Sequence, residues 1–495
     1  MKSFINKCFI ALALSCLLVS CTKNFQEVNT DPNRPVTVNP GVILGQMQYR
    51  IVNTTIGAAR NFTHELMQVD APVSSNSDGV HRYVITPGGI WTSVYNNLTD
   101  IEDIITLSDN LGEKNYKAIA LVYKCWAYSI LTDVYGDIPY SEAIKATKGN
   151  FLPKFDSQKD IYTQIFKDLV TANDLFDDTK GLTYGGDLVY NSSTTASATA
   201  RNVGIQRWKK FCNTLRLRLL LRVSKHQAEI DVNSQLTTIL ADAVKYPVFA
   251  SNADDGIFRY PNVNPYFNPY YTARQLDWRN QNYYTKFFIN KMNTDNDPRR
   301  PIWAIPVTVG GVPVYQGIES GYPTTTTYVI GANSSYTDAL KTSSYLGVMM
   351  TYAEEEFIKA ELALKGFTTG KTPKQHYEAG ITASIVQWGA TVPANYFTQP
   401  SVLYDATASA DAQLQQIMLQ KYYAYFFVDY QAWFEKRRTG YPVLPRGSGI
   451  PVENQFPFRI PYPTYLQSLN PSNYAAAVVA MGGTDDSKAK VWWDK

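Results

Sequence analysis

Aromatic and amide side chains alternate in one stretch of this sequence, 260–284, and they are its clearest candidates for binding chemistry. Tyr and Trp offer a flat apolar face with a polar edge, at a low cost in side-chain entropy. Such rings suit the C–H faces and hydroxyl groups of a sugar, or a peptide side chain beside its backbone. The alternative for each ring is packing within a loop-rich region. From this stretch we predict ligand contacts from Tyr266, Tyr270, Tyr271, Arg274 and Trp278.

Motifs for catalysis and for metal binding are incomplete. The 4 histidines show no His-Glu-x-x-His spacing and the chain has no Cys-x-x-Cys motif, so a zinc site has no support. The stretch 366–372 is one residue short of a phosphate-binding loop and is expected to cap one helix and begin the next. The stretch 293–297 carries oxygen atoms typical of calcium loops, but Pro298 stands where an EF-hand needs glycine. We expect a turn there and no cofactor, with a structural calcium ion as the alternative.

Two clusters of charge fall on predicted helices. Paired acids serve glycoside hydrolysis when they face each other across a cleft, about 5 to 9.5 Å apart. Adjacent helical positions point in different directions, so we expect the acidic cluster to form a solvated face; it comprises Glu354, Glu355, Glu356 and Glu361. The basic cluster is expected to pair with acids or to cap carbonyl groups. It comprises Arg216, Arg218 and Arg222.

The elements that must position these residues are mainly helical. Apolar residues recur at helical spacing in seven stretches. Several of these stretches end at a glycine, which can adopt the left-handed conformation of a helix C-terminus. The first two are expected to form an antiparallel pair. The predicted helices cover about 91–111, 119–134, 157–176, 208–223, 357–364, 377–388 and 414–433.

A different pattern, rich in Pro, Asn, Gly, Tyr and Thr, occupies the middle of the chain. It shows little periodicity, although a short helix is predicted for 283–292 and a hairpin for 307–315. Long ordered excursions from a scaffold usually carry function. We therefore predict an all-α, mainly helical fold. Its scaffold covers about 41–250 and 352–440, and a loop-rich excursion at about 251–351 carries the ligand side.

The N-terminus has the order of a secretory signal. Lys2 and Lys7 precede an apolar run that is too short to cross a bilayer as a permanent helix. The arrangement Leu-Val-Ser-Cys that ends at Cys21 is that of a bacterial lipobox, whose thiol takes a diacylglycerol group. With a further acyl chain on the new amine, such an anchor is stable. We predict a signal peptide over 1–20, lipid attachment at Cys21 and a single domain over 21–495, with a plain secretory signal as the alternative.

Composition narrows the function classes further. The formal charge is +3, and loss of the two signal lysines leaves 44 basic against 43 acidic residues, so nucleic acid is not an expected partner. No stretch after the signal is apolar enough to span a membrane. Of the 5 Cys, only Cys125 and Cys212 remain once the signal and Cys21 are set aside. Both fall in apolar helical patterns, so we expect buried thiols rather than a disulfide or a nucleophile.

Nine short stretches, in order along nearly the whole mature chain, carry a family likeness. They are Asn-Thr-Asp-Pro-Asn at 29–33, Trp-Thr-Ser-Val-Tyr-Asn-Asn at 91–97, Leu-Thr-Asp-Val-Tyr-Gly-Asp-Ile-Pro-Tyr at 131–140, and the stretches at 155–162, 213–218, 297–299, 360–366, 437–442 and 491–495. Together they resemble the SusD/RagB family of nutrient-binding outer-membrane lipoproteins of Bacteroidota, in its SusD-like branch.

The resemblance implies tetratricopeptide-like helical pairs and a looped half that holds the ligand. It also implies a partner, a SusC-like TonB-dependent outer-membrane barrel on which the lipoprotein sits as a lid. In characterised relatives the loop before the first helix pair contributes to the ligand site. That position here is the loop Asp70–Gly89, which adds the candidates Asn76, Arg82 and Tyr83.

The function implied is capture of an oligomeric nutrient without bond cleavage, at the outer membrane and facing the cell exterior. Oligosaccharides are the commonest ligands of the family, and peptides are the alternative. Asn24 departs from the acidic residues that often follow the lipidated cysteine in surface-exported relatives. A lipoprotein glycosidase or peptidase and a helical scaffold without a small ligand are the competing interpretations.

Overall fold

Thirteen helices of six residues or more carry the fold in a computed structural model that describes residues 38–74, 79–191 and 197–495. Single helical turns are left unnumbered. The numbered helices are α1 (Pro40–Ala58), α2 (Trp91–Leu111), α3 (Lys114–Tyr135), α4 (Gln158–Leu175), α5 (Ala198–Arg222), α6 (Val232–Ala241), α7 (Gln275–Asn280), α8 (Lys286–Thr294), α9 (Tyr352–Leu364), α10 (Pro373–Gln387), α11 (Ala410–Ala424), α12 (Gln431–Thr439) and α13 (Pro471–Ala480).

Neighbouring helices pack in sequence order, which confirms the mainly helical, tetratricopeptide-like prediction. Helix α1 packs on α2, α2 on α3, α3 on α4 and α4 on α5, while α9, α10 and α11 form a second group that contacts α5 through α9. Residues 40–495 form one compact unit. No described helix is both long and apolar enough to cross a bilayer. The predicted signal peptide and Cys21 lie outside the described residues, so the domain boundaries stay predictions.

Helix ends follow the signals read in the sequence. The Ser157 side chain accepts a hydrogen bond from the Asp160 amide and begins α4. Gly112 ends α2 in the left-handed conformation. The near match to a phosphate loop is a helix start, as predicted, because Thr372 and Gln375 form a reciprocal capping box at the start of α10.

The strands are short and pair only two by two. They are β1 (Asp70–Pro72), β2 (Gly256–Phe258), β3 (Asn282–Tyr284), β4 (Val307–Val309), β5 (Val312–Val314) and β6 (Gly347–Met350). Strand β1 pairs with β3, β2 with β6, and β4 with β5, all antiparallel. The predicted hairpin is β4–β5, turning at two glycines with positive φ. The predicted helix at 283–292 begins later, as α8, since its first residues pair in β3.

The single helix predicted for 414–433 is wrong. The chain forms α11 and α12, separated by a buried aromatic turn in which Phe427 adopts a φ of 62°. The amide of Phe427 donates instead to Nε2 of His64, 3.2 Å away, so the break leaves no unpaired donor there. Because all residues of the turn except Asp429 are apolar or aromatic, periodicity alone does not show it.

The acidic face predicted to be solvated is buried, so that expectation is also wrong. Helix α9 packs against α5, α10 and α11, and its four glutamates are almost inaccessible. Each meets a cation: Glu354 meets Arg218, Glu355 meets Lys359, Glu356 meets His376 and Lys371, and Glu361 meets Arg438. A buried charge is tolerated when it is paired and hydrogen-bonded. Two members of the basic cluster of α5 behave as predicted, since Arg218 and Arg222 pair with acids, whereas Arg216 donates to the side-chain oxygen of Gln235.

The Arg218–Glu354 pair supports a stability prediction. Oε1 of Glu354 accepts from Nε of Arg218 at 2.6 Å and from the Tyr425 hydroxyl at 2.8 Å. Glu354→Ala leaves the guanidinium buried without its counter-charge, and we expect a loss of about 3–5 kcal/mol in the free energy of unfolding. Urea unfolding followed by circular dichroism measures it.

The control is Glu378→Ala, which removes a partly exposed partner of Lys374 on α10. We expect it to change stability by no more than about 0.5 kcal/mol. Equal effects of the two substitutions would contradict the importance given to the buried pair.

Candidate ligand-binding site

One face of α1 holds the aromatic segment predicted to bind the ligand. The Tyr49 hydroxyl donates to the carbonyl oxygen of Phe267 at 3.0 Å, and the Tyr260 hydroxyl donates to Oδ1 of Asn53 at 2.5 Å. The Tyr49 ring also contacts Tyr266 edge to face, with centroids 5.4 Å apart. The segment is therefore fixed to the helical scaffold by contacts about 200 residues apart in sequence.

Arg60 lies at the centre of this contact, within a π-helical turn over Ala59–Thr63 that continues α1. Its guanidinium carbon is 4.1 Å from the centroid of the Trp278 ring, 4.9 Å from that of Tyr270 and 5.4 Å from that of Tyr336. Three rings around one cation form what we call the Arg60 cage. Single π-turns inside α-helices often occur at functional sites.

A buried hydrogen-bond network fixes the rings of the cage. Nε1 of Trp278 donates to the carbonyl of Thr337 at 2.9 Å. The Tyr336 hydroxyl donates to Asp70, and Nδ1 of His64 lies 2.7 Å from that hydroxyl. Because the hydroxyl proton is used by Asp70, Nδ1 of His64 is the donor here, which fits Nε2 accepting from Phe427. Burial lowers the pKa of His64, so the ring is neutral and this tautomer satisfies both nitrogens.

The candidate residues of the aromatic segment differ in how far they are exposed to solvent. Tyr271 is 40% exposed and the Arg274 side chain is 83% exposed, in an ion pair with Asp277 at 2.6 Å. Tyr266 and Tyr270 are half-buried. Trp278 is only 1% exposed, with Arg60 on its face, so it has the packing role that was its alternative.

Two candidates from the loop before α2 are also more buried than a direct binding role requires. Arg82 donates from Nε to the carbonyl of Tyr322 at 3.1 Å, and Tyr83 packs edge to face on Phe456. Both are buried, and burial raises the pKa of Tyr83. These two candidates thus stabilise the loop, whereas Asn76 lies outside the described residues.

A cleft of about 380 Å³ opens beside α7. Such a volume lies within the range of small-ligand sites. Its walls come from α7, from the start of the β4–β5 hairpin and from residues 331–335. We call it the α7 cleft; polar groups line it at Gln275, Arg279, Asn280, Thr308, Asn333 and Ser335. Arg279 and Gln275 are both held in place by Asp338.

The calcium-like oxygens of 293–297 are engaged by cations of the protein. Asp295 pairs with Lys291, and Asp297 accepts from Arg299 and from the Tyr396 hydroxyl. In the part of the chain that the structure describes, no group of three or more His, Cys, Asp or Glu side chains could hold a metal ion.

The sequence prediction missed four residues that hold the site in place, three on α1 and its π-turn and one within the excursion. They are Tyr49, Asn53, Arg60 and Tyr336. A signal was present, since Tyr49, Asn53 and Arg60 follow helical spacing along one face of α1. No such signal exists for Tyr336, because its partners are distant in sequence.

Comparison with known proteins decides the family. The SusD-like family model described as "Starch-binding associating with outer membrane" matches residues 32–463. The chain belongs to the SusD-like family. This confirms the resemblance read from the nine sequence stretches. No curated protein matches the chain.

Several solved structures share this fold over almost the whole chain. A chitin-binding protein is 28% identical, with a TM-score of 0.75 over 92% of this chain and 100% of its own. A SusD homologue from Bacteroides fragilis is 24% identical, with a TM-score of 0.79 over 93% of this chain and 100% of its own. A chitin-binding SusD homologue from Flavobacterium johnsoniae is 24% identical, with a TM-score of 0.75 over 92% and 99%. The SusD-like fold is therefore shared, while the ligand of this chain is a separate question.

Trp278 and Tyr271 should differ sharply when each is replaced. Trp278→Ala empties the floor of the cage and is expected to lower the free energy of unfolding by about 3–5 kcal/mol. Tyr271→Ala removes a partly exposed ring and is expected to change it by no more than about 0.5 kcal/mol. Urea unfolding of both variants measures the difference, and similar losses would contradict the assignment of Trp278 to packing.

Glu65 supports a prediction on pH. Burial raises the pKa of its carboxyl to about 8, and the charge of Asp70 adds to the rise. A glutamate in the unfolded chain titrates near 4.5. Between pH 4.5 and about 8 the folded state keeps Glu65 protonated, whereas the unfolded chain has lost this proton. The contribution of Glu65 to the free energy of unfolding therefore falls as the pH rises from 4.5 to 8.

Glu65→Gln keeps the uncharged shape and should remove that part of the pH dependence, so that the variant is more stable than the parent above pH 8. Urea unfolding at pH 5, 7 and 8.5 measures it. Burial also raises the pKa of Asp255 and of Glu355 to about 7, so the quantity to compare is the difference between variant and parent. A constant difference across the three pH values would contradict the raised pKa.

Proposed function

We propose that this protein is a lipid-anchored outer-membrane protein that captures an oligosaccharide and delivers it to a SusC-like TonB-dependent barrel. The observation that carries the proposal is the family match over residues 32–463, in a family described as starch-binding and associated with the outer membrane. Two of the solved relatives are described as chitin-binding.

The exposed part of the aromatic segment supports carbohydrate as the ligand. The Tyr271 ring lies 4.9 Å from that of Phe267, centroid to centroid, and keeps an exposed face. Such a face suits the C–H surface of a pyranose ring. The α7 cleft supplies amide, hydroxyl and guanidinium groups for sugar hydroxyls. Both features lie on the loop-rich excursion, whose position is fixed by α1 before any ligand arrives.

Binding without bond cleavage is part of the proposal. The four glutamates of α9 are buried and each is engaged by an arginine or a lysine, so they do not form an acid pair across a cleft. The thiols of Cys125 and Cys212 are buried, and burial raises the pKa of both, which disfavours the nucleophilic thiolate. The proposed function needs no cofactor.

Anchoring and delivery complete the proposal. The lipobox ending at Cys21 supplies the anchor, and the SusC-like barrel is the partner implied by the family. We place the protein on the outer face of the membrane, where captured oligomers enter the barrel. A peptide ligand is the alternative that the binding experiment has to separate.

The test is calorimetric titration of a soluble form beginning at Thr22. Chito-oligosaccharides, malto-oligosaccharides and short peptides are titrated separately, and each mixture is checked for products. We expect an oligosaccharide to bind and to be recovered intact. Tyr271→Ala should weaken that binding about tenfold, equivalent to about 1.4 kcal/mol, because the ring loses its stacking contact.

The matched control is Phe151→Ala, which removes a ring that is 74% exposed on the helical scaffold. It should leave the affinity unchanged. Cleaved products would favour a glycosidase or peptidase, and binding of peptides alone would favour the alternative ligand. No binding of any probe, together with tight association with a protein partner, would favour a scaffold.

A further inference from the structure

Arg60 is partly buried and has no carboxylate partner among the described residues, unlike several buried arginines of this protein. Arg218, Arg299 and Arg438 each pair with a carboxylate. Within 38–74, 79–191 and 197–495, no carboxylate lies at ion-pair distance from Arg60, and its contacts are the three rings of the cage. The nearby Asp70 is already engaged, since its oxygens accept from Asn282 and Tyr336.

The geometry of the cage leaves one side of the guanidinium available. Stacking on rings uses the face of the guanidinium and leaves the N–H groups at its edge for hydrogen bonds. Trp278 and Tyr336 are buried beneath it, whereas Arg60 and Tyr270 keep solvent-accessible surface. The Tyr270 hydroxyl also interacts with the guanidinium.

The position of the cage connects it with the proposed binding surface. Trp278 belongs to α7, whose residues Gln275, Leu276, Arg279 and Asn280 line the α7 cleft. Tyr270 is the neighbour of the exposed Tyr271. The cage and the cleft therefore share helix α7, and the cage residue Tyr270 precedes Tyr271 directly in sequence.

We propose that Arg60 binds a carboxylate of the ligand, so that the captured oligomer is an acidic, uronate-containing oligosaccharide. This inference rests on the proposed function and names its ligand class. A planar carboxylate matches the fork of guanidinium N–H donors, and both groups are charged, which makes such hydrogen bonds strong. The rings hold the guanidinium in one orientation before binding, so little side-chain entropy is lost when the carboxylate arrives.

The test is calorimetric titration of the chain beginning at Thr22 with acidic oligosaccharides and their neutral counterparts. The probes are oligogalacturonate, oligomannuronate and hyaluronan oligomers of four to six sugars, each also as its methyl ester. We expect the parent protein to bind at least one acidic oligomer, and at least tenfold more weakly as the ester. Arg60→Gln should abolish that difference, whereas Arg60→Lys should keep the preference for the acid at reduced affinity.

The matched control is Arg50→Gln, on the same helix, whose guanidinium pairs with Asp100. It should bind as the parent does, and far-ultraviolet circular dichroism of each variant checks its fold. If Arg60→Gln fails to fold, the ester comparison in the parent and in Arg60→Lys still decides. Equal affinity for acid and ester, or binding of chito- or malto-oligosaccharides alone, would overturn this inference and leave the proposed function standing. Failure to bind any oligosaccharide would overturn both.

Discussion

Charge buried inside a protein must meet opposite charge, and in this fold that requirement ties the helical groups together. Arg222 of α5 pairs with Asp133 of α3, and Arg218 of the same helix pairs with Glu354 of α9. Glu361 of α9 pairs with Arg438 of α12, where Glu435 also receives Lys421 of α11. Removal of one partner leaves the other as an unpaired buried charge. These pairs therefore determine which helices are neighbours and add less to the net stability. The helices before and after the excursion thus form one scaffold.

The excursion between them depends on that scaffold for its order. Its strands are only three or four residues long, which is too little for independent stability. It is held instead by α1, which forms hydrogen bonds with Phe267 and Tyr260 and contacts the excursion through Arg60. The turn between α11 and α12 holds it from a second side, where Phe427 packs against Tyr336 and Tyr270. The rings of this region therefore serve two purposes. Most fill the interface with the scaffold, and a few, such as Tyr271, remain at the surface.

The division between what the sequence predicted and what it could not follows the range of the interactions involved. Local signals worked: the Ser157 cap, the Gly112 end and the paired glycines of the β4–β5 hairpin all depend on residues a few positions apart. Long-range pairings failed. The glutamates of α9 were predicted to form a solvated face because the neighbouring sequence gives no sign of their partners. Arg218, for example, is 136 residues away.

The site shows the same limit. Alternating aromatic and amide residues singled out the segment that packs on α1, yet Trp278 and Tyr271 looked equivalent in sequence and differ in exposure, at 1% and 40%. Arg60 drew no notice, since its partners Tyr270, Trp278 and Tyr336 lie more than 200 residues further along the chain. All eight ligand contacts remain predictions, although Arg82, Tyr83 and Trp278 are buried; they were predicted for Asn76, Arg82, Tyr83, Tyr266, Tyr270, Tyr271, Arg274 and Trp278.

The contact between the C-terminal segment and α3 has a consequence for how the chain reaches this state. Nε1 of Trp493 donates to Asp133, which lies 360 positions earlier in the sequence, and Arg437 pairs with the adjacent Asp494. Contacts of such long sequence separation cost loop-closure entropy before they return any stabilisation, and they slow folding. The helices of the first half can form early. The hydrogen bond between Asp133 of α3 and Trp493 can form only once the C-terminal segment has docked. A slow final assembly keeps apolar helix faces accessible for longer, and exposed apolar surface of this kind is prone to aggregation.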